Sequence, residues 1–211
     1  MSHTTDLLEQ LGQARLVPVV VLEDAVDAAP LAEALVAGGL AVAEVTFRTE
    51  AALAAIQTIA ARGDVLLGAG TVLSPDQVDA AVDAGAQYIV SPGLSEPVVR
   101  RAAERGVLAL PGTVTATEIQ AALEAGLRAV KYFPAGTSGG APAIKALSAP
   151  FPEVQFVPTG GVGPANLGDY LSLPSVLAVG GSWMVPKDVI AAGDFEQITA
   201  LTAEAVQLAA G

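Results

Sequence analysis

The sequence predicts a compact, single-domain (β/α)8 TIM barrel over residues 1–211, with residues 1–14 as an N-terminal tail or helix. Three observations predict it. Eight short β-branched runs alternate with Ala- and Leu-rich stretches, and a Gly stands just before several of the runs. No linker or composition break divides the 211 residues, so the mean repeat is about 26 residues, enough for one βα unit. Strands that alternate with helices pair in parallel, and eight such units favour a closed barrel over its structural rival, the open doubly wound sheet.

The runs are residues 16–22, 40–47, 65–69, 87–91, 107–110, 129–133, 154–159 and 176–180. Before the second, fourth, fifth and sixth runs stand Gly39, Gly85, Gly106 and Gly126. A Gly there is a helix C-cap, supplying left-handed backbone as the chain turns into a strand. Ser74-Pro75 and Ser95-Glu96-Pro97 read as helix starts, each with a side-chain oxygen for the cap and a Pro in the first turn.

Composition narrows the chemistry. There is no Cys, and the one His is His3, in the N-terminal tail, which removes thiolate nucleophiles, disulfides, multi-His metal sites and Ser–His–Asp triads. Asp and Glu number 22 against 10 Lys and Arg, a net charge of −12 that disfavours nucleic acid and anionic membrane surfaces as partners. No apolar run reaches the roughly 18 residues of a membrane span, and the start lacks signal-peptide character, so a cytoplasmic protein is expected. Catalysis is left to carboxylates, three Lys, Tyr and water.

Strand parity ranks these groups. Lys131 shares one face of the sixth run with Ala129 and Phe133. An ammonium in an apolar strand is costly, and a neutral amine is the form that attacks a carbonyl to make a Schiff base. The alternative is a lysine that snorkels to the barrel mouth or pairs with a carboxylate. Lys145 falls on a solvated helix face, and Lys187, after Pro186, in a loop. Glu44, mid-strand in the second run, is either the proton shuttle beside Lys131 or one half of a structural salt bridge. Arg48, where that run ends, either holds a substrate carboxylate or caps and decorates the surface. Gly pairs at Gly160-Gly161 and Gly180-Gly181 follow the seventh and eighth runs, the usual phosphate position of this architecture, although a Gly pair is also an ordinary tight turn.

These segments resemble the 2-keto-3-deoxy-6-phosphogluconate (KDPG) and 4-hydroxy-2-oxoglutarate (KHG) aldolases, the class I aldolases of the Entner–Doudoroff pathway. The resemblance is carried by Glu44-Val-Thr-Phe-Arg-Thr-Glu50, Gly68-Ala-Gly-Thr-Val72, Ile89-Val-Ser-Pro-Gly93, Val130-Lys-Tyr-Phe-Pro-Ala135, Pro158-Thr-Gly-Gly161 and Val179-Gly-Gly-Ser-Trp183, from about residue 16 to the C-terminus. It implies the Schiff-base lysine at Lys131 and the general acid/base at Glu44. It puts pyruvate-carboxylate contacts at Arg48 and Thr71, pocket walls at Pro92 and Phe133, and aldehyde facial selectivity at Thr159. The phosphate end falls at Gly160, Gly161, Gly181 and Ser182. It also implies a phosphorylated keto-acid substrate, no metal, no cofactor and a homotrimer. The chain departs from the family's usual wording at Phe47, at Tyr132, and in the loop Ala135-Gly-Thr-Ser-Gly-Gly140. The alternatives are the galactonate-epimer aldolase, a non-covalent phosphosugar isomerase or epimerase, and a silent sugar-phosphate binder.

Overall fold

The computed structural model describes residues 3–211, with side chains from Thr5 onward. The expected tail at residues 1–2 and the His3 side chain lie outside the described residues. Helix α1 (His3–Ala14) leads into β1 (Leu16–Val20), the first of eight βα units. The strands are β2 (Val42–Thr46), β3 (Leu66–Gly70), β4 (Tyr88–Ser91), β5 (Leu108–Thr113), β6 (Ala129–Tyr132), β7 (Gln155–Pro158) and β8 (Val179–Gly181). All eight predicted runs are strands. They pair in parallel in the order β7-β6-β5-β4-β3-β2-β1-β8, and the bridges Phe156–Val176 and Thr159–Gly180 join β7 to the β8 side, nearly closing the barrel. Around it lie α2 (Ala28–Ala37), α3 (Ala52–Ala60), α4 (Pro75–Asp83), α5 (Glu96–Glu104), α6 (Ala116–Glu124), α7 (Gly140–Ser148), the short α8 (Leu167–Leu171) and α9 (Lys187–Ala191), and the closing α10 (Phe195–Ala210).

Local chemistry explains most boundaries. Gly39, Gly85, Gly106 and Gly126 all have positive φ, from 72° to 101°, which only Gly adopts without steric cost. The Ser74 hydroxyl accepts from the Gln77 N–H and caps α4, whereas Ser95 makes no such bond to α5. The stronger cap is at α6, where Thr115 and Glu118 form a reciprocal capping box. Most strand bounds move by one or two residues from the predicted runs, and two move by three. β5 continues through Pro111 to Thr113, because Pro111 still pairs with Ser91 and Gly112 leaves room for the Pro92 carbonyl. β8 begins only at Val179, since Val176 makes a lone bridge to Phe156. Lys187 opens α9 and is not in a loop, while Lys145 is exposed on α7 as expected. None of the described helices is long and apolar enough to cross a membrane.

Inside the barrel the register aligns Val19, Glu44, Gly68, Tyr88 and Leu108 across β1 to β5, and Gly112, Lys131 and Val157 across β5 to β7. Tyr88 forms the floor. It is fully buried, its ring lies over Gly68, and its hydroxyl donates to the Ala43 carbonyl at 3.0 Å. A Cβ at residue 68 would stand 2.1 Å from the ring, so β3 can lie beside Tyr88 only with Gly there.

Two outcomes follow from this packing. Gly68→Ala forces the Tyr88 ring aside; overpacking of about 1–3 kcal/mol lowers the melting temperature by about 3–10 °C at this chain length, measurable by calorimetry. Burial also pushes the phenols of Tyr88, Tyr132 and Tyr170 above their ordinary range, Tyr88 furthest. A group raised in the folded state leaves stability intact below its unfolded pKa, about 10 for Tyr, and erodes it above. Tyrosinate absorbance should therefore be absent when an exposed Tyr titrates and should rise together with loss of circular dichroism.

Candidate active site

The interior row of strand positions opens at the C-terminal ends of the strands, where two charged groups meet. Lys131 on β6 points inward and its Nζ donates to Oε1 of Glu44 on β2 at 3.2 Å, with side-chain exposures of only 8% and 4%. The two residues are 87 apart in sequence. Strand alternation aims each side chain inward, and parallel register sets the height at which they meet. Glu44 fits because β3 carries Gly70 beside its carboxylate: a Cβ there would lie 2.2 Å from Oε1. The Phe133 ring flanks the ammonium, its centroid 5.3 Å from Nζ. On β5, Gly112 is the register partner of Lys131 and touches the Pro92 carbonyl, which brings Pro92 to the same wall.

A second pair sits at the mouth. Arg48 Nε donates to the Thr71 hydroxyl at 3.3 Å. Arg48 is exposed, two residues past the end of β2 on a turn closed by its own N–H to the Thr46 carbonyl at 2.8 Å. Thr71 has φ 57°, a left-handed conformation that costs a β-branched residue of order 1–3 kcal/mol. This backbone turns its hydroxyl toward Arg48.

The phosphate candidates divide. Gly160 and Gly161 have φ 89° and 77°, and their side-chain positions face the Phe133 ring and the Gly136 Cα at 3.2 Å each, so the loops after β6 and β7 lie against each other. Thr159 is buried, with its hydroxyl over Gly180, where a Cβ would stand 2.2 Å away. Among the described residues nothing accepts from the backbone N–H of Gly161 or Ser182. Gly181 differs: its side-chain position is filled by the Trp183 indole, so this Gly serves packing against the outer layer. Ser182 and Arg48 line one cavity of about 220 Å3 beside Val19, the register neighbour of Glu44.

The sequence reading missed the packing roles of Gly70 and Gly180 and the place of Lys187. Gly70 and Gly180 leave the room that Glu44 and Thr159 occupy, and the signal available was Gly inside strands, which marks a close approach. Lys187, set aside in the sequence reading, lines the cavity with Ser182 and Arg48. The Tyr132 hydroxyl donates to the Ser138 carbonyl, so two departures from the family's wording, Tyr132 and the 135–140 loop, meet in one hydrogen bond. No group of three or more metal-ligating side chains gathers among the described residues.

The family model for KDPG and KHG aldolases matches residues 7–201. The 2-dehydro-3-deoxy-phosphogluconate aldolase of Treponema pallidum is 51% identical over 203 residues, covering 96% of this chain and 97% of that protein. The KDPG aldolase of Legionella pneumophila, solved with pyruvate captured at low pH as a covalent carbinolamine intermediate, superposes with a TM-score of 0.90 at 40% identity, covering 93% and 97%. The Zymomonas mobilis 2-keto-3-deoxy-6-phosphogluconate aldolase, solved with 3-phosphoglycerate, superposes with a TM-score of 0.89 at 44% identity, covering 98% and 96%. With that match over nearly its whole length, the chain belongs to the KDPG and KHG aldolase family.

Proposed function

We propose that this chain is a class I aldolase that cleaves 2-keto-3-deoxy-6-phosphogluconate to pyruvate and glyceraldehyde 3-phosphate, and also accepts 4-hydroxy-2-oxoglutarate. The observation that carries the reading is the buried Lys131–Glu44 contact at the open end of the barrel. An amine and a carboxylate 3.2 Å apart can pass a proton directly, and Schiff-base chemistry needs that at several steps. The names borne by the relatives supply the substrate.

The cycle runs on these residues. Lys131 hands a proton to Glu44, and its neutral amine adds to C2 of the keto acid to give a carbinolamine, the species captured with pyruvate in the Legionella enzyme. Protonation of the C2 hydroxyl by Glu44 expels water and leaves an iminium. Glu44 then takes the C4 hydroxyl proton. The C3–C4 bond breaks, its electrons flow into the iminium to form an enamine, and the aldehyde departs. Return of the proton to C3 gives the pyruvate iminium, and water hydrolyses it to pyruvate and the Lys131 ammonium. The iminium is the electron sink, so the cycle calls for no metal or cofactor. Arg48 and Thr71 hold the carboxylate, which keeps C2 in line with Lys131. Phe133 and Pro92 wall the pocket, and Thr159 sets the face of the aldehyde. The donors of Gly160, Gly161 and Ser182 meet the phosphate, with Gly181 shaping the turn that carries Ser182.

The acidic, Cys-free composition supports a cytoplasmic location. Exposed Val26 and Leu73, at 72% and 60%, with Leu53, give the β1–β3 side apolar surface that further copies in a homotrimer would cover.

Borohydride added with pyruvate should fix one pyruvyl adduct on Lys131, located by peptide mass spectrometry, and Lys131→Ala should lose both adduct and cleavage. Cleavage surviving that substitution would overturn the covalent reading, and a wild type that forms no adduct and cleaves nothing would favour the non-covalent isomerase or epimerase class. Gly70→Ala tests Glu44 without touching it: the new methyl displaces a flexible carboxylate, so far-UV dichroism stays native while kcat falls by about 10²-fold, the lower bound for losing a positioned acid/base. Full kcat in that variant would detach Glu44 from the proton transfers.

A further inference from the structure

We infer that Lys187 is the cation for the phosphorylated end of the substrate and a specificity-determining residue for phosphorylated over unphosphorylated keto acids. The inference rests on the aldolase reading above. A keto acid with a terminal phosphate brings two anionic groups into a protein of net charge −12. Arg48, fixed to Thr71, can match one of them as a planar fork. The other needs a second positive charge at the barrel mouth.

Most cations of the chain are committed elsewhere. Arg62 pairs with Glu33 and Asp64, Arg101 and Arg105 with Asp79 and its neighbours, Arg100 with Glu96, and Arg128 with Glu153. Arg15 donates to the Leu171 carbonyl, and Lys131 pairs with Glu44. Two lysines remain. Lys145 lines a separate cavity between α7 and α8, together with Asp169. Lys187 lines the 220 Å3 cavity that also holds Ser182, whose backbone donor has no acceptor, and Arg48. Its one carboxylate contact, Glu23 Oε1 at 3.6 Å, joins two side chains that are 61% and 72% exposed, a loose pairing that an incoming phosphate can outcompete. Arg48 and Lys187 thus line one cavity, which offers a cation to each anionic group of the substrate.

Steady-state kinetics on Lys187→Gln with 2-keto-3-deoxy-6-phosphogluconate and with unphosphorylated 2-keto-3-deoxygluconate tests this. The expected result is a KM for the phosphorylated substrate raised about tenfold, the scale of one charge-assisted contact, with kcat unchanged. Turnover of the unphosphorylated substrate stays as in the wild type. Lys187→Arg should restore the KM, Glu23→Gln should lower it, and Lys145→Gln should leave it alone. An unchanged ratio between the two substrates in Lys187→Gln, or a shift produced by Lys145→Gln in its place, overturns the inference. The pyruvyl adduct on Lys131 separates the two readings: if it forms while the ratio stays fixed, only the role of Lys187 fails, and if the wild type forms none, the aldolase reading fails first.

Discussion

The structure is organised around one ion pair held inside a hydrocarbon barrel. Burying an ammonium and a carboxylate costs several kcal/mol per ion, and their attraction offsets this only when the two meet with good geometry. Here they come from strands β2 and β6, which do not neighbour each other in the sheet, so the closure of the barrel itself supplies the encounter. Removing either partner would leave the other charge buried alone. Around the pair, other residues give way: Gly70 leaves volume for the carboxylate, Gly112 lets the Pro92 carbonyl approach, and Phe133 offers its ring face to the ammonium.

The electrostatics outside the barrel complement this arrangement. Asp79 accepts from both Arg101 and Arg105, and these guanidinium groups hold its carboxyl below the usual range. Asp64 is held down in the same way by Arg62. Such exposed pairs add little stability individually. Arg62, Arg101 and Arg105 are thus committed to carboxylates on the helix layer, whereas Lys187 has only its loose contact with Glu23.

Much of this was legible in the sequence. Every strand was found, because β-branched runs mark the pleat and, before β2, β4, β5 and β6, a Gly at positive φ closes the preceding helix. Lys131 and Glu44 could be singled out by parity alone, since a charge on the inward face of an apolar strand has few reasons to be there. Less legible was anything that depends on which distant strand lies opposite. The Tyr88 ring over Gly68 and the Thr159 hydroxyl over Gly180 are set by the stagger between strands, which no local pattern encodes. Pro111 and Gly112 looked like a strand terminator, yet β5 runs through both because its neighbours tolerate a missing donor and need a missing side chain. Ser95 carried the chemistry of a cap without the geometry, whereas Thr115 made the full capping box.

The Tyr88 floor has a consequence for traffic. With its ring against Gly68 of β3 and its hydroxyl bonded to β2, Tyr88 fills the barrel interior and leaves the C-terminal mouth as the doorway of the site. Keto acid, aldehyde and hydrolytic water all share that doorway. In the proposed cycle the pyruvate tethered to Lys131 lies deepest in the queue, so the aldehyde leaves before water reaches the iminium and sets pyruvate free. The order of product departure is then a property of the plug as much as of the chemistry.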